Sequence, residues 1–296
     1  MKQKIVIAGG SGFIGQYLLK RFREAGYDVR LISRDAAYIT WSDINKIQAA
    51  LEGAELLINL AGKSVDCRYT NANKHAILDS RVATTKRLQQ AVDQCEHPPK
   101  LWINSSTATI YRHATDRPMD ENSGEIGTGF SVKVARAWEQ AFFEIHSTPT
   151  RKVALRMAIV LGNGGGVMQP YSNLVRFGLG GVQGSGRQVF SWIHIEDVYR
   201  IVRFMMQQPA LEGIYNTSAP HPVLNKQFMQ ALRARIKPMV YFSSPEWLLK
   251  LGAAVIGTET ELVLKSRWVI PKRLQEAGFS FQYPTIDAAL DEIFLI

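Results

Sequence analysis

The sequence contains few of the residues that mark metal sites and disulfide frameworks. Only two cysteines occur in its 296 residues, Cys67 and Cys95, and they do not form a C-x-x-C pair. Neither has a histidine partner at ligand spacing, so the pattern indicates no zinc site and no disulfide framework. We therefore expect no metal ion, and the scarcity of cysteine is typical of a reducing compartment.

Long hydrophobic runs are also missing. The longest, residues 248–257, contains Lys250 and is too short to cross a bilayer. The first strand-like run begins at residue 4, which leaves no room for a signal peptide. We expect a cytoplasmic protein without a membrane partner.

Acidic residues are outnumbered by basic ones, and the formal net charge is +9. The basic residues are spread along the chain, however, without the aromatic-interleaved, zinc-finger or tail patterns of nucleic-acid-binding proteins. We expect no nucleic-acid partner. A positive surface also favours small ligands that carry phosphate groups.

A glycine-rich turn lies between a strand pattern and a helix pattern at the start of the chain. Residues 4–8 form a β-branched apolar run, Gly9, Gly12 and Gly15 follow at intervals of three, and apolar residues then recur at helical spacing. In such a unit the first glycine permits a tight turn, the second lets backbone approach a pyrophosphate, and the third allows close packing. The pattern predicts a dinucleotide site. Glycines that serve helix–sheet packing alone are the alternative.

The end of the second strand pattern indicates which dinucleotide binds. An acidic residue there would bond the adenosine ribose and repel a 2′-phosphate, but this chain has Ser33 and Arg34. A hydroxyl and a guanidinium suit a 2′-phosphate, so we expect NADP(H) and not NAD(H). A solvated loop arginine is the alternative, and Asp35 is a mild counter-signal.

Strand and helix patterns alternate as far as residue 217, and helical patterns dominate afterwards, including one at residues 245–256. This order predicts an α/β fold, a Rossmann-type doubly wound parallel sheet with a small, mainly helical C-terminal domain. We expect residues 1–165 to form the NADP-binding domain, with segments at about 190–220 returning to it. The substrate-side domain would comprise residues 166–189 and 221–296.

Several motifs together are similar to those of the extended and atypical short-chain dehydrogenase/reductases. They are Asn59-Leu-Ala-Gly62, Ser80-Arg81, Ser105-Ser-Thr-Ala-Thr-Ile-Tyr111, Arg156-Met-Ala-Ile-Val-Leu-Gly162, Ser191-Trp-Ile-His-Ile-Glu-Asp197 and Trp268-Val-Ile-Pro-Lys-Arg-Leu274. From residue 4 to about residue 290 the chain resembles one atypical subfamily, labelled NAD(P)-dependent sugar-nucleotide epimerases, including its C-terminal domain of unknown function.

The resemblance implies a cofactor site made of residues that follow successive strands. The matching positions in this chain are Gly9, Ser11, Gly12, Phe13, Ile14, Ser33, Arg34, Leu60, Ala61, Arg81 and Val160. Ala61 and Gly62 are also small residues at the end of a predicted strand, where backbone can pass beside adenine and ribose. Taken without the resemblance, Arg81 is equally consistent with a surface salt bridge, and Val160 with sheet core.

The catalytic pair of the extended enzymes is missing. Those enzymes use Tyr-x-x-x-Lys on the helix after the fourth strand, and counting back from Glu139 puts these positions at Ser131 and Ala135. Lys133 is no substitute, because residues two apart on a helix point in different directions. The third member of the set, a Ser or Thr, is present as Thr107. A serine without an adjacent base is a poor proton shuttle.

Few residues qualify to replace the missing tyrosine. Tyr111 follows the fourth strand and is the first candidate, because its phenol has the required chemistry; loop packing is the alternative. His194 is a candidate substrate residue, with a structural histidine as the alternative, and Asp197 is a predicted helix N-cap. Arg187 is placed to hold a phosphate or carboxylate of the substrate, or is an exposed loop arginine. It belongs to the glycine-rich residues 164–188, which we expect to be a flexible loop over the substrate.

These observations predict an atypical reductase or epimerase that passes hydride between NADP(H) and a small polar substrate. A non-catalytic NADP(H)-binding redox sensor or scaffold is the alternative, and Ser131 and Ala135 favour it. We expect a monomer or a homodimer.

Overall fold

The computed structural model describes residues 2–144, 149–243 and 265–295. The strands in these ranges are β1 (Lys4–Ala8), β2 (Asp28–Ser33), β3 (Ile39–Thr40), β4 (Leu56–Asn59), β5 (Leu101–Thr107), β6 (Arg151–Met157), β7 (Ile159–Leu161), β8 (Val189–Phe190), β9 (Trp192–His194), β10 (Gly213–Thr217) and β11 (Val223–Leu224). The helices are α1 (Phe13–Glu24), α2 (Ile44–Leu51), α3 (Asn71–Asp93), α4 (Phe130–Phe143), α5 (Met168–Arg176), α6 (Ile195–Gln207), α7 (Asn225–Ile236), α8 (Lys272–Glu276) and α9 (Ile286–Phe294), with a short 3₁₀ helix at Ala108–Ile110. None of the helices described here has both the length and the apolar character that crossing a membrane requires.

The main sheet has seven strands in the order β10-β6-β5-β4-β1-β2-β3. Every neighbouring pair in it is parallel. The chain runs from β1 outward to β3 and then returns to the other side of β1 to continue with β4, β5 and β6. In sheets of this Rossmann order, ligands bind outside the carboxyl ends of the strands, where the order reverses. The predicted fold class is confirmed.

Alternate residues of the central strands enter two separate cores. Ile5 and Ile7 of β1 pack on one face, in a cluster that includes Phe22 of α1. Val6 and Ala8 pack on the opposite face, with residues of α2 and α3. Side chains alternate across a strand, and helices cover both faces of this sheet. Its central strands therefore appear in the sequence as continuous apolar runs.

A third core joins α5, α7 and α9. Phe228 of α7 stacks on Phe190 with ring centroids 4.2 Å apart, and Tyr171 of α5 meets Phe228 edge-on at 5.1 Å. Leu290 of α9 belongs to the same cluster. The helical C-terminal region is confirmed in the ranges described, whereas the helix predicted for residues 245–256 lies outside them.

The glycine-rich residues 164–188 include a helix, which corrects the prediction of a flexible loop. Met168, Tyr171 and Val175 of α5 are buried. Their spacing of three and four puts them on one helix face, which packs in the third core with α7. The prediction was wrong because the flanking glycines were given more weight than the helical spacing of these three apolar residues.

A buried ion pair joins α4 to β6. Arg156 donates two hydrogen bonds to the Glu139 carboxylate, from Nε to Oε1 and from Nη2 to Oε2, each at 2.8 Å. Ser106 Oγ donates to the same Oε1 at 2.6 Å. The Arg156 and Glu139 side chains are only 8% and 10% exposed. The pair thereby fixes α4 over the carboxyl ends of β5 and β6.

We expect Glu139→Gln to destabilise the protein, because Arg156 keeps its charge in a buried place without a counter-charge. Breaking such a pair costs about 3–5 kcal/mol, measurable as the free energy of unfolding in urea. Glu125→Gln, which removes a partner of Arg112 on the surface, is the matched control and should change stability little. An equal loss of unfolding free energy in the two variants would contradict the conclusion that burial makes the Glu139–Arg156 pair the more important one.

Candidate active site

Two glycines in the turn between β1 and α1 are required by packing. Gly9 has a φ of +77°, and a Cβ atom there would lie 2.6 Å from the Ala61 nitrogen. A Cβ atom on Gly15 would lie 2.6 Å from the Cα atom of Gly10. The close approach at Gly9 lets the turn pack against the segment that follows β4. The close approach at Gly15 lets α1 pack against the turn. The turn therefore lies where the strand order reverses.

Gly12 differs from these two because open space faces it. The nearest atom to a Cβ built on Gly12 is the Gly9 oxygen, at 4.0 Å. Gly12 is the N-cap of α1, no described side chain caps the helix, and the first turn has no acidic residue. The N–H groups of Phe13 and Ile14 have no acceptor within the helix. With Ser11 and Gly12 exposed, this helix N-terminus is suited to an anion such as a pyrophosphate.

The end of β2 offers one buried hydroxyl and one exposed guanidinium. Ser33 is 2% exposed, and its Oγ accepts a hydrogen bond from the Asp35 N–H at 2.9 Å. The Asp35 carboxylate accepts from the Ala37 N–H at 2.9 Å, so it is engaged in its own loop. Arg34 is exposed and is the basic group at this end of β2.

The segment after β4 is held by an amide network. Asn59 Nδ2 donates to Asn104 Oδ1 at 2.7 Å and to Thr85 Oγ1 at 3.1 Å. Asn59 Oδ1 accepts from the Ala61 N–H at 3.0 Å. These bonds fix the backbone of residues 60–62 beside the glycine turn.

The structure brings the apolar members of the predicted cofactor site together. Ile14, Leu60 and Val160 are half-buried and pack against the same core cluster. Phe13 packs against the chain that follows β7, where a Cβ atom on Gly162 would lie 3.0 Å from the Phe13 ring. Ile14, Leu60 and Val160, which follow β1, β4 and β6, thus share one core cluster.

A cavity of about 200 Å³ lies beside the ends of β4 and β5 and between α3 and α4. We refer to it as the α3–α4 pocket. Its walls combine apolar side chains with the hydroxyls of Ser105, Thr107 and Ser131, the phenol of Tyr69 and the guanidinium of Arg81. Such a mixture of apolar wall and few polar groups is typical of a small-molecule site.

Arg81 is the cation of the α3–α4 pocket. Its Nη1 donates to the carbonyl oxygens of Lys63 and Ile77, each at 3.0 Å, and its Cζ lies 5.1 Å from the centre of the Trp138 ring. A Cβ atom on Gly62 would lie 2.9 Å from that Cζ. Burial lowers the pKa of Arg81 to about 10, and no carboxylate in the described ranges offsets this effect. Such a cation favours a polar or anionic ligand.

Ser131 and Ala135, at the positions of the missing pair, both face the α3–α4 pocket. Thr107 faces it from the end of β5, with its Oγ1 accepting from the Thr109 N–H at 3.1 Å. A phenol also lies close to Ser131. Tyr69, in the segment between β4 and α3, has its Oη atom 3.5 Å from Ser131 Oγ. Sequence reasoning did not select Tyr69. The sequence feature that could have indicated it is the position of this tyrosine between β4 and α3, both of which lead to predicted cofactor-site residues.

Tyr111, the predicted acid, does not face this pocket. Its side chain is 2% exposed. The hydroxyl donates to Asn216 Oδ1 at 3.0 Å and accepts from Arg156 Nη1 at 2.9 Å. Burial raises the pKa of this phenol. The 3₁₀ helix after β5 turns the ring toward β6 and β10, so we do not retain Tyr111 as an acid.

The two predicted substrate residues also lie outside the pocket walls. Arg187 is exposed, in a turn where its N–H donates to Ser185 Oγ at 3.3 Å. His194 is 1% exposed and is the N-cap of α6, where its Nδ1 accepts from the Glu196 N–H at 3.3 Å. Its Nε2 lies 2.9 Å from Glu292 Oε2. His194 therefore joins α6 to α9.

Asp197 lies in the first turn of α6, so its predicted N-cap role was wrong. Its carboxylate accepts from the N–H groups of Gln282 at 2.8 Å and Tyr283 at 2.9 Å. It also pairs with Arg200 at 3.2 Å. The buried carboxylate ties α6 to the chain that leads into α9.

The parallel sheet, the glycine turn at its reversal and the uncapped helix N-terminus define a Rossmann-type protein of the dinucleotide-binding class. The comparison with known families agrees. The chain belongs to the NAD dependent epimerase/dehydratase family, whose model matches residues 5–217. A second model, described as a domain of unknown function (DUF1731), matches residues 244–293. The resemblance seen in the sequence motifs is confirmed.

Relatives from distant organisms match along the whole chain. A mouse epimerase family protein, SDR39U1, is 31% identical over 296 residues, which cover 98% of this chain and 99% of the relative. The Bacillus subtilis epimerase family protein YfhF is 31% identical over 302 residues, with 98% and 97% covered. A crystal structure of human epimerase family protein SDR39U1 (isoform2) with NADPH has a TM-score of 0.90 at 31% identity and covers 99% of both chains.

The position of His194 predicts a pH effect on stability. Burial lowers the pKa of its imidazole in the folded protein. The unfolded chain therefore binds the proton more readily, and stability falls as the pH drops below about 6.5. His194→Asn keeps an N-cap acceptor but removes this titration, so we expect a smaller loss of stability at acidic pH. Urea unfolding at several pH values measures this, with His75→Asn on α3 as the control; identical pH profiles for wild type and His194→Asn would refute it.

Proposed function

We propose that this protein is an NADP(H)-dependent oxidoreductase or epimerase that transfers hydride to or from a small polar substrate. The observation that carries the proposal is the open space at Gly12, in front of an uncapped helix N-terminus. When bound, NADP(H) supplies the hydride chemistry. The residues of this chain bind the cofactor, orient the substrate and handle the proton.

Residues at the carboxyl ends of the strands fit each part of the cofactor. Backbone N–H groups at Ser11, Gly12, Phe13 and Ile14 would hold the pyrophosphate, since they lie just before and in the first turn of α1, which has no side-chain cap. The small residues 60–62 would pass beside the adenosine. Leu60 and Arg81 line the α3–α4 pocket, and Ile14 and Val160 pack against the same core cluster as Leu60. These four residues would border the nicotinamide side.

Two observations support NADP(H) over NAD(H). The end of β2 presents the exposed Arg34, while the Asp35 carboxylate is engaged by the Ala37 N–H. A guanidinium binds a 2′-phosphate strongly because it can donate two parallel hydrogen bonds to the phosphate oxygens. The human relative named above was crystallised with NADPH, which agrees with the cofactor expected from the sequence.

The α3–α4 pocket is the proposed place of the chemistry. Thr107 at the end of β5 would orient a substrate oxygen, as the Ser or Thr of the extended enzymes does. Apolar side chains such as Val134 and Trp138 line the same cavity and would exclude water from the reacting atoms. A cavity of about 200 Å³ suits a small substrate.

The second candidate is a non-catalytic NADP(H)-binding sensor, favoured by Ser131 and Ala135 at the positions of the catalytic pair. Screening carbonyl compounds for oxidation of NADPH separates the two functions. Reduction of any compound by wild type, lost in a variant that cannot bind the cofactor, supports the enzyme. Tight NADPH binding without reduction of any compound supports the sensor.

We expect Arg34→Ala to weaken NADPH binding about tenfold to a hundredfold and to leave NADH binding nearly unchanged. The lost charge-assisted bonds are worth about 1.5–3 kcal/mol. Titration of nicotinamide fluorescence measures both dissociation constants. Arg30→Ala removes an exposed arginine of the same strand and should affect neither cofactor. Equal losses for NADPH and NADH in Arg34→Ala would rule out 2′-phosphate recognition.

We expect Gly12→Val to lower NADPH affinity by about a hundredfold or more while the fold persists. The valine methyl groups would fill the space that the pyrophosphate needs, yet among the described residues, apart from the chain neighbours of Gly12, the nearest atom to the new Cβ atom is the Gly9 oxygen at 4.0 Å. Gly9→Val is the contrasting variant, because its Cβ would collide with backbone, and it should lose stability. Affinity measured beside circular dichroism tests this, and unchanged binding in a folded Gly12→Val protein would show that the turn is structural only.

A further inference from the structure

A phenol and a cation face the α3–α4 pocket from elements other than α4. Tyr69 lies in the segment between β4 and α3, and Arg81 lies on α3. Ser131 and Ala135, the positions of the missing tyrosine and lysine, face the same pocket from α4. The two groups that α4 lacks are thus present, but another part of the chain provides them.

We propose that Tyr69 donates the proton to the substrate oxygen in carbonyl reduction, and that Arg81 stabilises the phenolate that remains. This assignment rests on the hydride-transfer function proposed above. It adds a residue to the site that neither the sequence motifs nor the family resemblance indicates.

The Tyr69 ring is fixed close to the position of the missing phenol. It packs edge-on against Phe130, with ring centroids 4.9 Å apart. Its Oη lies 3.5 Å from the Oγ of the adjacent Ser131. A contact of that length between two hydroxyls is a weak hydrogen bond. Catalytic hydrogen bonds are often long before the substrate binds and shorten in the complex.

Arg81 has the properties that a phenolate partner needs. Burial lowers its pKa, and its electrostatic interaction with Tyr69 opposes that effect by favouring the charged guanidinium. The attraction is mutual, so the guanidinium favours a negative charge on the phenol oxygen. Ala135, at the position of the lysine in the extended enzymes, is fully buried and carries no charge, so Arg81 is the cation that lines this pocket.

The proton and electron balance of the step is complete. The carbonyl carbon of the substrate accepts a hydride from NADPH, and a C–H bond forms. The carbonyl oxygen accepts the proton of the Tyr69 hydroxyl, whose O–H bond breaks as the product O–H bond forms. The substrate is reduced to an alcohol and NADPH is oxidised to NADP⁺. Solvent then returns a proton to Tyr69.

The chain contains a second phenol–guanidinium pair that serves as a control. Tyr111 accepts a hydrogen bond from Arg156 at 2.9 Å, but the residue is only 2% exposed and does not line the α3–α4 pocket. It has the chemistry of Tyr69 without access to a ligand. Tyr111→Phe should therefore lower stability and leave turnover unaffected.

Nitration by tetranitromethane tests the Tyr69–Arg81 pair without any catalytic assay. The reagent attacks phenolates, and peptide mass spectrometry gives the rate at each tyrosine, with the exposed Tyr38 as an internal reference. Removal of a neighbouring positive charge should slow nitration of Tyr69 by about tenfold in Arg81→Gln. Arg81→Lys should restore most of the rate. Arg87→Gln, on the same helix but bonded to the Ser42 oxygen, should have no effect. An unchanged rate in Arg81→Gln would overturn the pair.

Turnover then tests the donor role. With a carbonyl substrate found by screening, Tyr69→Phe should lower kcat/KM by about a hundredfold or more and leave the Kd for NADPH unchanged. Tyr111→Phe should retain kcat/KM within about twofold. Wild-type turnover that survives in Tyr69→Phe overturns the donor role and leaves hydride transfer standing. A wild-type protein that binds NADPH but reduces no carbonyl overturns both, whatever the nitration result.

Discussion

The close approach of the Gly9 backbone to the chain after β4 is the contact on which the site depends. A side chain at Gly9 would place its Cβ atom 2.6 Å from the Ala61 nitrogen, and the residue has a φ of +77°. Only glycine meets both conditions without strain. The contact brings the start of α1 to the point where the strand order reverses. The uncapped start of α1 at Gly12 and the α3–α4 pocket therefore both lie at the carboxyl ends of the strands.

The two parts of the site are built in different ways. The part near Gly12 consists of backbone, shaped by glycines and by the helix terminus, and side chains hardly contribute to it. The α3–α4 pocket consists of side chains, and its geometry depends on how α4 is held. The buried pair of Glu139 and Arg156 holds that helix against β6. Backbone sites resist sequence change, whereas the chemistry of a side-chain pocket changes with single residues.

This difference explains which features the sequence predicted. The first strand, the glycine turn and the fold class follow from local patterns, because apolar runs and glycine spacing are properties of neighbouring residues. Side-chain direction is not local. Tyr111 is turned inward by a 3₁₀ helix that brings it to Asn216, far along the chain. Tyr69 lies in a segment without periodicity, so no pattern indicated that its hydroxyl would approach Ser131. The same limit applies to Asp197, whose backbone N–H partners follow residue 280.

The replaced catalytic pair also bears on the choice between enzyme and sensor. A pocket that had only lost its function would be expected to close, because filled apolar space is more stable than a cavity. Here Ser131 and Ala135 still line a cavity of about 200 Å³, and the half-buried Arg81 stays in its wall without a carboxylate in the described ranges to neutralise it. Its guanidinium donates to two carbonyl oxygens and lies over the Trp138 ring, but desolvating a cation without a counter-charge still costs stability. Such a cost is consistent with a group retained for a ligand, and Tyr69, in the wall of the same pocket, would give that ligand a proton donor.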